Sequence, residues 1–353
     1  MIRDTQPLLE NILQRRDPLI PLGNHGVLPY YDGASLINLP AAICHWLDIP
    51  MFGAQPLSPH WQSALPGRYQ RAILLLVDGL GYNLLQSVIA GDWQDIAGLD
   101  IWAQFAATNP PLPLTSVIPS TTAAALTSLW TATPPLEHGM LAYEVWLKEY
   151  GVLANMLSFN VASAKSRPAD AGSLKRSGFD PDQFIPLPTF GSHLMKHGVQ
   201  NRVMQHTGIS RSDLSHMLTS PAEVLPFRAT SDLWVTLAEQ LHETPAQKQF
   251  TYVYWGVLDE LMHFFGPRDE RVLLELAAFS QQLRYFLEKT SREHVNTLLL
   301  LTADHGQIAT PNQPDFNLEQ HPQLWDCLSM PPSGESRLPI LFVHPRKEER
   351  LLK

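Results

Sequence analysis

"RAILLLVDGLGYNLLQSVIA", Arg71 to Ala90, decides the fold. Six apolar residues run without a break from Ala72 to Val77, which suits a strand buried on both faces of a parallel sheet. Asp78 stands just past the strand's carboxyl end. Gly79 and Gly81 supply a sharp turn, and an apolar-rich helix begins behind them. Strand, turn and helix in that order are the repeating unit of an α/β fold.

The same rhythm recurs along the chain. "TSVIPSTTAAALTSLWTATPPLEHG", residues 115–139, reads as a short strand, a turn and a helix. Alanines favour that helix, and paired threonines at its start suit hydroxyl capping of free N–H groups. Residues 150–230 are less regular and predict a long loop or cap-like insertion, with a helix at "FGSHLMKHG" and a strand at "NRVMQH". A helix at "DLWVTLAEQLHE" precedes the aromatic strand "QFTYVYWG". The long amphipathic helix "RDERVLLELAAFSQQLRYFLEKTS" precedes "TLLLLTADHG", a second buried strand, and "LPILFVH" reads as a last strand. Residues 1–68 form an N-terminal arm with one helix at "SLINLPAAICHWL"; residues 69–353 form the main domain. The expected fold is α/β, a mainly parallel sheet with helices on both faces.

The chain has 353 residues, 44% of them hydrophobic and 17% charged, enough for a large core and too few charges for disorder. A net charge of -9 argues against general binding to nucleic-acid backbones. Cys44 and Cys327 make no disulfide framework and lack metal-ligand spacing. The start lacks the apolar core of a signal peptide, and no apolar run is long enough to span a bilayer. A soluble cytoplasmic protein acting on a small molecule is expected, with neither membrane nor nucleic-acid polymer as partner. Its thirty prolines cluster in connecting stretches and imply long ordered loops.

In open α/β sheets the active site lies beyond the carboxyl ends of the strands. Asp78, the Thr121–Thr122 turn and Asp304–His305 all fall at such ends, and "TYVYWGVLDELMHFFGP" adds Asp259 and His263. Asp259 and His263 are four apart, so one helical face carries both. Gly306 permits the tight turn that lets adjacent Asp304 and His305 reach one ion. Carboxylate and imidazole donors of this kind hold Zn²⁺, Mn²⁺ or Mg²⁺. Each fragment alone is weak: "DG" after a strand is usually a turn, and Asp-x-x-x-His is usually a solvated pair. Their occurrence at successive strand ends makes coincidence a poor account.

"LLLVDGLG", "PSTTAAALTSLWTATPPLEHG", "DELMHFFGP" and "TADHG", in this order, resemble the type I phosphodiesterase/nucleotide pyrophosphatase family of the alkaline phosphatase superfamily. The resemblance implies an alkaline-phosphatase-like three-layer fold and a two-metal hydrolase of phosphate esters. It implies that Thr122 is the nucleophile, fourth residue of a segment opening at Pro119 and closing at His138–Gly139, with Thr121 and His138 structural. One metal would be held by Asp78, Thr122, Asp304 and His305. The other would be held by Asp259, His263 and a late histidine, with His321 favoured over His344. Zinc is the expected ion and manganese the alternative. The substrate would be a phosphodiester or nucleotide pyrophosphate, turned over through a phosphothreonine. Tyr143 occupies the position of a family asparagine that binds phosphoryl oxygens, which keeps open a phosphomonoesterase, a phosphonate hydrolase or a silent binding relative.

Overall fold

The computed structural model describes residues 5–17, 20, 26–53, 55–59, 65–162, 171–242, 247–291, 296–311 and 313–352. Residues 163–170 of the expected long loop fall outside them. The strands are β1 Arg71–Val77, β2 Glu144–Leu147, β3 Val152–Asn155, β4 Asn160–Val161, β5 Gln200–Met204, β6 Glu223–Val224, β7 Gln249–Trp255, β8 Thr297–Thr302, β9 Ser333–Glu335 and β10 Leu338–Ile340. Five of them form the central sheet in the order β6-β5-β7-β1-β8, and every neighbouring pair is parallel.

The apolar run of β1 explains the layering. Side chains alternate across a strand, so an uninterrupted run must bury two faces. Ala72, Leu74 and Leu76 enter one core with Ile43 and Trp46 of the helix Leu39–Trp46 and with Trp130 of the helix Thr122–Thr131. Ile73, Leu75 and Val77 enter a second core with the helices Thr230–His242, Val257–Phe265 and Glu270–Lys289. The three-layer α/β fold is therefore as expected. β5, which lies within the 150–230 region, runs in the central sheet beside β7.

Four local readings differ from the structure. Thr115 starts no strand; it makes a single parallel bridge to Ser35. Pro110, Pro111, Pro113 and Pro119 lack N–H groups, so this segment cannot sustain a ladder. Its backbone instead binds the N-terminal arm, Thr115 N–H donating to the Ala34 carbonyl at 2.9 Å and Leu36 N–H to the Thr115 carbonyl at 3.0 Å. The arm holds a further helix, Gln6–Gln14, whose Leu8 and Ile12 are buried. "LPILFVH" gives only β10, antiparallel to β9 in a second sheet of order β10-β9-β2-β3-β4. β8 is consequently the edge of the central sheet and is half-buried along most of its length. Among the described residues no helix is long and apolar enough to cross a membrane.

The helix Thr122–Thr131 is buried from Ala123 onward, and its polar side chains are satisfied internally. Thr127 and Thr131 donate to carbonyls one turn back, at 2.7 and 2.8 Å. Ser128 is tied to His138 Nε2 at 2.8 Å, and Met140 N–H donates to His138 Nδ1 at 3.1 Å. Since Nδ1 accepts, Nε2 carries the proton and donates to Ser128, so the buried imidazole is neutral with both nitrogens satisfied. Burial pushes the His138 pKa down to about 4.

A histidine held below its unfolded pKa of about 6.5 resists protonation in the fold, so stability is full above that value and falls as pH drops toward 4. The loss attributable to His138 is about 3 kcal/mol. His138→Gln, whose amide can both accept and donate, is expected to be less stable at pH 7. Urea titrations at pH 7, 6, 5 and 4 should show a gap to wild type that narrows with acidity. A gap of constant size would show that His138 does not carry this acid sensitivity.

Candidate active site

β7, β1 and β8 are neighbours, and each ends in a turn that carries ionisable side chains. Asp78 follows β1, with its N–H donating to the Trp255 carbonyl at 2.9 Å. Asp259 lies in the first turn of the helix after β7, with His263 one turn on and Nε2 3.4 Å from Asp259 Oδ2. Asp304 and His305 follow β8. Thr122 opens its helix, and its Oγ1 lies 3.1 Å from His305 Nε2 and 3.4 Å from Asp78 Oδ2. Asp78, Thr122, Asp304, His305 and Asp259 are thus gathered at one sheet edge, as the strand-end argument requires.

Two glycines set the spacing of these turns. Gly79 has φ +76°, a conformation that disfavours side chains, and a Cβ there would meet Met262 Cε at 2.5 Å. Gly81 has an ordinary φ of -66° but no room. A Cβ on it would lie 2.5 Å from the Gly306 Cα. The turns after β1 and β8 therefore pack backbone to backbone.

The electrostatics favour a cation. Ligand atoms of Asp78, Asp259 and His305 lie within 4.8 Å of one another, the one such group of three among the described residues. Asp78 and Asp304 are 2% and 0% exposed, and Asp78 Oδ1 and Asp304 Oδ2 accept no hydrogen bond. Burial pushes the Asp78 carboxyl well above the usual carboxylate range, Asp304 and Asp259 push it further, and His305 opposes them. Burial likewise brings Asp304 up to about 6, with Asp259 adding to it and hydrogen bonds, from Asp78 foremost, opposing. Buried carboxylates with empty oxygens are unfavourable unless paired or coordinated. Together with Asp259 and His305, Asp78 forms a candidate metal site.

Neighbours that the sequence did not flag hold these carboxylates in place. The Tyr254 hydroxyl donates to Asp78 Oδ2. Gly79 N–H donates to Asp304 Oδ1 at 3.3 Å, and Ser116 donates to the Asp304 carbonyl. The Gln307 amide donates to Asp259 Oδ1. Tyr254 was legible only as a β-forming aromatic, although two-residue alternation places it on the same strand face as Tyr252.

The remaining predicted residues lie elsewhere or play a different part. Thr121 sits at the helix N-cap, but its hydroxyl makes no capping bond; its carbonyl accepts from Ala125 N–H at 2.8 Å. Tyr143 is partly exposed before β2, where its hydroxyl oxygen accepts from Asn155 Nδ2. His321 is exposed, with Nε2 2.7 Å from the Asp315 carbonyl, and is not in the group of three. His344 is also exposed.

A family model described as type I phosphodiesterase / nucleotide pyrophosphatase matches residues 72–351. Among solved structures, murine ectonucleotide pyrophosphatase / phosphodiesterase 5 aligns with TM-score 0.52 at 14% identity, covering 79% of this chain and 68% of that one. An inactive form of the same murine protein, in complex with AMP, aligns equally well, with TM-score 0.52. Phosphonoacetate hydrolase from Sinorhizobium meliloti 1021, in complex with phosphonoformate, aligns with TM-score 0.44 at 16% identity, covering 70% of this chain and 58% of that one. Comparison with curated proteins finds no match. At these identities the structural likeness is one of fold.

Gly81→Ala tests the packing of the two turns. The backbone conformation tolerates alanine, so its cost is the contact with Gly306 alone, about 1–3 kcal/mol of stability. The turns must separate, and affinity for Mn²⁺ or Zn²⁺ is expected to fall about tenfold or more. Calorimetric titration of each ion into wild type and variant reads this. Unchanged affinity would show that the spacing is not set there.

Proposed function

Because the chain belongs to the type I phosphodiesterase / nucleotide pyrophosphatase family, we propose that it is a divalent-metal-dependent hydrolase of phosphate esters working through a phosphothreonine at Thr122. The observation that carries this reading is the position of Thr122 Oγ1 against His305 and Asp78, beside two carboxylate oxygens that accept no hydrogen bond. The orphaned oxygens fit metal ligation. Asp78, Asp304 and His305, with Thr122, would hold one ion; Asp259, His263 and His321 would hold another, once His321 gives up its carbonyl contact or binds through Nδ1. Zinc suits the histidine content, and manganese is the alternative. Such ions would neutralise the three carboxylates, favour the deprotonated hydroxyl and polarise the phosphoryl oxygens.

The chain's own residues do the rest. A free threonine hydroxyl is a weak nucleophile and needs activation by its surroundings. The Thr122 side chain is aimed at the cluster by the first turn of a helix whose remaining residues are locked in the core. The helix N-terminus, left without a hydroxyl cap, favours negative charge on Oγ1 and on a phosphoryl group beside it. Attack forms the Oγ1–phosphorus bond as the ester oxygen leaves, and water then cleaves the phosphothreonine. Tyr254 and Gln307 keep Asp78 and Asp259 oriented throughout. The Tyr143 hydroxyl, with its oxygen taken by Asn155, has its proton free to donate to a phosphoryl oxygen. The proposed substrates are phosphodiesters or nucleotide pyrophosphates, in keeping with the AMP complex of the murine relative.

Purified protein supplied with Mn²⁺ or Zn²⁺ is expected to release p-nitrophenol from bis(p-nitrophenyl) phosphate faster than from p-nitrophenyl phosphate. Thr122→Ala should lower kcat about a thousandfold or more while metal binding persists. Acid quenching of wild type during turnover should trap phosphate on the peptide containing Thr122. A Thr122→Ala protein turning over at the wild-type rate would remove the nucleophile from the scheme.

A further inference from the structure

The stretch "PPSGESR", residues 331–337, read in the sequence as a loop before the last strand, is a hairpin. Leu338 pairs with Glu335, so Ser336 and Arg337 form the two-residue connection between β9 and β10. β9 in turn contacts β2 at Glu144, opposite Gly334, and β2 pairs with β3. The hairpin thereby joins the second sheet through β9, and β10 forms its edge.

Arg337 is the point where this sheet touches the threonine turn. Its Nη2 donates to the Ser120 carbonyl at 3.4 Å, two residues before Thr122. Its Nε donates to Glu335 Oε1 at 2.6 Å, and Nη2 is also paired with that carboxylate. The Glu335 side chain is 14% exposed, so the clamp is largely shielded, whereas the Arg337 side chain is 44% exposed. Glu335 occupies the Nε/Nη2 edge of the guanidinium. Nη1 has no hydrogen-bond partner among the described residues. Nη2 is thus engaged by both Glu335 and Ser120, which leaves the N–H groups of Nη1 on a guanidinium already held in place, so that little entropy is lost when it binds.

Ions held by the strand-end cluster would supply positive charge for the scissile phosphoryl group only. Arg337 lies outside that cluster, on the Ser120 side of the turn. From this placement we infer that Arg337 is a specificity residue: its Nη1 takes a second anionic group of the substrate, phosphate or carboxylate, flanking the phosphoryl group attacked by Thr122. The inference rests on the proposed hydrolase reading and adds a substrate requirement to it. A charge-assisted N–H of Nη1 can donate to either oxyanion. Tyr143, whose hydroxyl is a proposed phosphoryl contact, directly precedes Glu144 of β2, which pairs with β9.

The test uses three esters. Phenyl p-nitrophenyl phosphate has no second charge, 4-carboxyphenyl p-nitrophenyl phosphate adds a carboxylate, and a dinucleoside diphosphate adds a phosphate. Arg337→Ala is expected to lower kcat/KM for the two charged esters about ten- to a hundredfold, mainly through KM. It should leave the phenyl ester, which has no second charge, within about twofold, which also reports a folded active site. Arg337→Lys should fall between, since it keeps the charge and loses the fork. Equal effects of both variants on all three esters, or no effect on any, would overturn the inference. If wild type with Mn²⁺ or Zn²⁺ cleaves none of the three, it is the hydrolase reading itself that falls.

Discussion

Asp78 and Asp304 are buried at the ends of adjacent parallel strands, each with an oxygen that accepts no hydrogen bond among the described residues. Like charges at low dielectric repel, and burial disfavours both ionised forms. The fold nevertheless brings a third carboxylate, Asp259, to the same place. Such an arrangement is tolerable when a cation completes it, and much else in the molecule serves to hold it open. Gly81 and Gly306 let two turns pack without side chains. Tyr254, Gln307 and Gly79 bind carboxylate oxygens of Asp78, Asp259 and Asp304, and Ser116 binds the Asp304 carbonyl.

The parallel sheet accounts for this convergence. Neighbouring strands lie about 4.8 Å apart, so residues just past the ends of β7, β1 and β8 fall within reach of one another wherever the strands end in register. Val77 is paired with Trp255 and Leu76 with Thr302, so these ends are in register. Short side chains on tight turns then suffice. Thr122 joins from a different kind of element. Its helix is not fed by a strand; the proline-rich segment before it is bound to the N-terminal arm. The arm is therefore part of what positions the helix start, which is why its Leu36, Ile43, Trp46 and Leu47 are among the most deeply buried side chains.

The central strands and the cluster were legible because both rest on local pattern. Unbroken apolar runs in β1 and β8, each ending in a polar residue and glycine, require a parallel sheet with chemistry at its end. Asp259 and His263 were legible from helical spacing. What was not legible depends on pairing between distant segments. "LPILFVH" and "TLLLLT" have similar compositions, yet one contributes a short antiparallel strand and the other a half-buried edge. Burial at an edge is decided by which neighbour is present, and composition does not encode that. Thr121 shows the same limit on a smaller scale: its type suits a cap, but the hydroxyl forms no capping bond. Tyr254 and Gln307 acquire their roles only when β7 and the turn after β8 are brought beside Asp78 and Asp259.

The two sheets divide the work differently. The central sheet fixes the charged centre through backbone register, with little freedom for substitution at Gly79, Gly81 or Asp78. The second sheet meets the threonine turn through Arg337 and the Ser120 carbonyl. It is antiparallel, short-stranded and partly exposed, and its hairpin is stabilised by side chains rather than by a core. Loops and edges of this kind can change without disturbing a register that lies elsewhere. The departure at Tyr143 falls on this same sheet, where Asn155 from the adjacent strand brings an amide to the tyrosine hydroxyl. Thr122 and the strand-end carboxylates can therefore stay constant while contacts around the threonine turn vary. On physical grounds, substrate choice is to be sought in β2, β3 and the β9–β10 hairpin, and the chemistry in the strand ends of the parallel sheet.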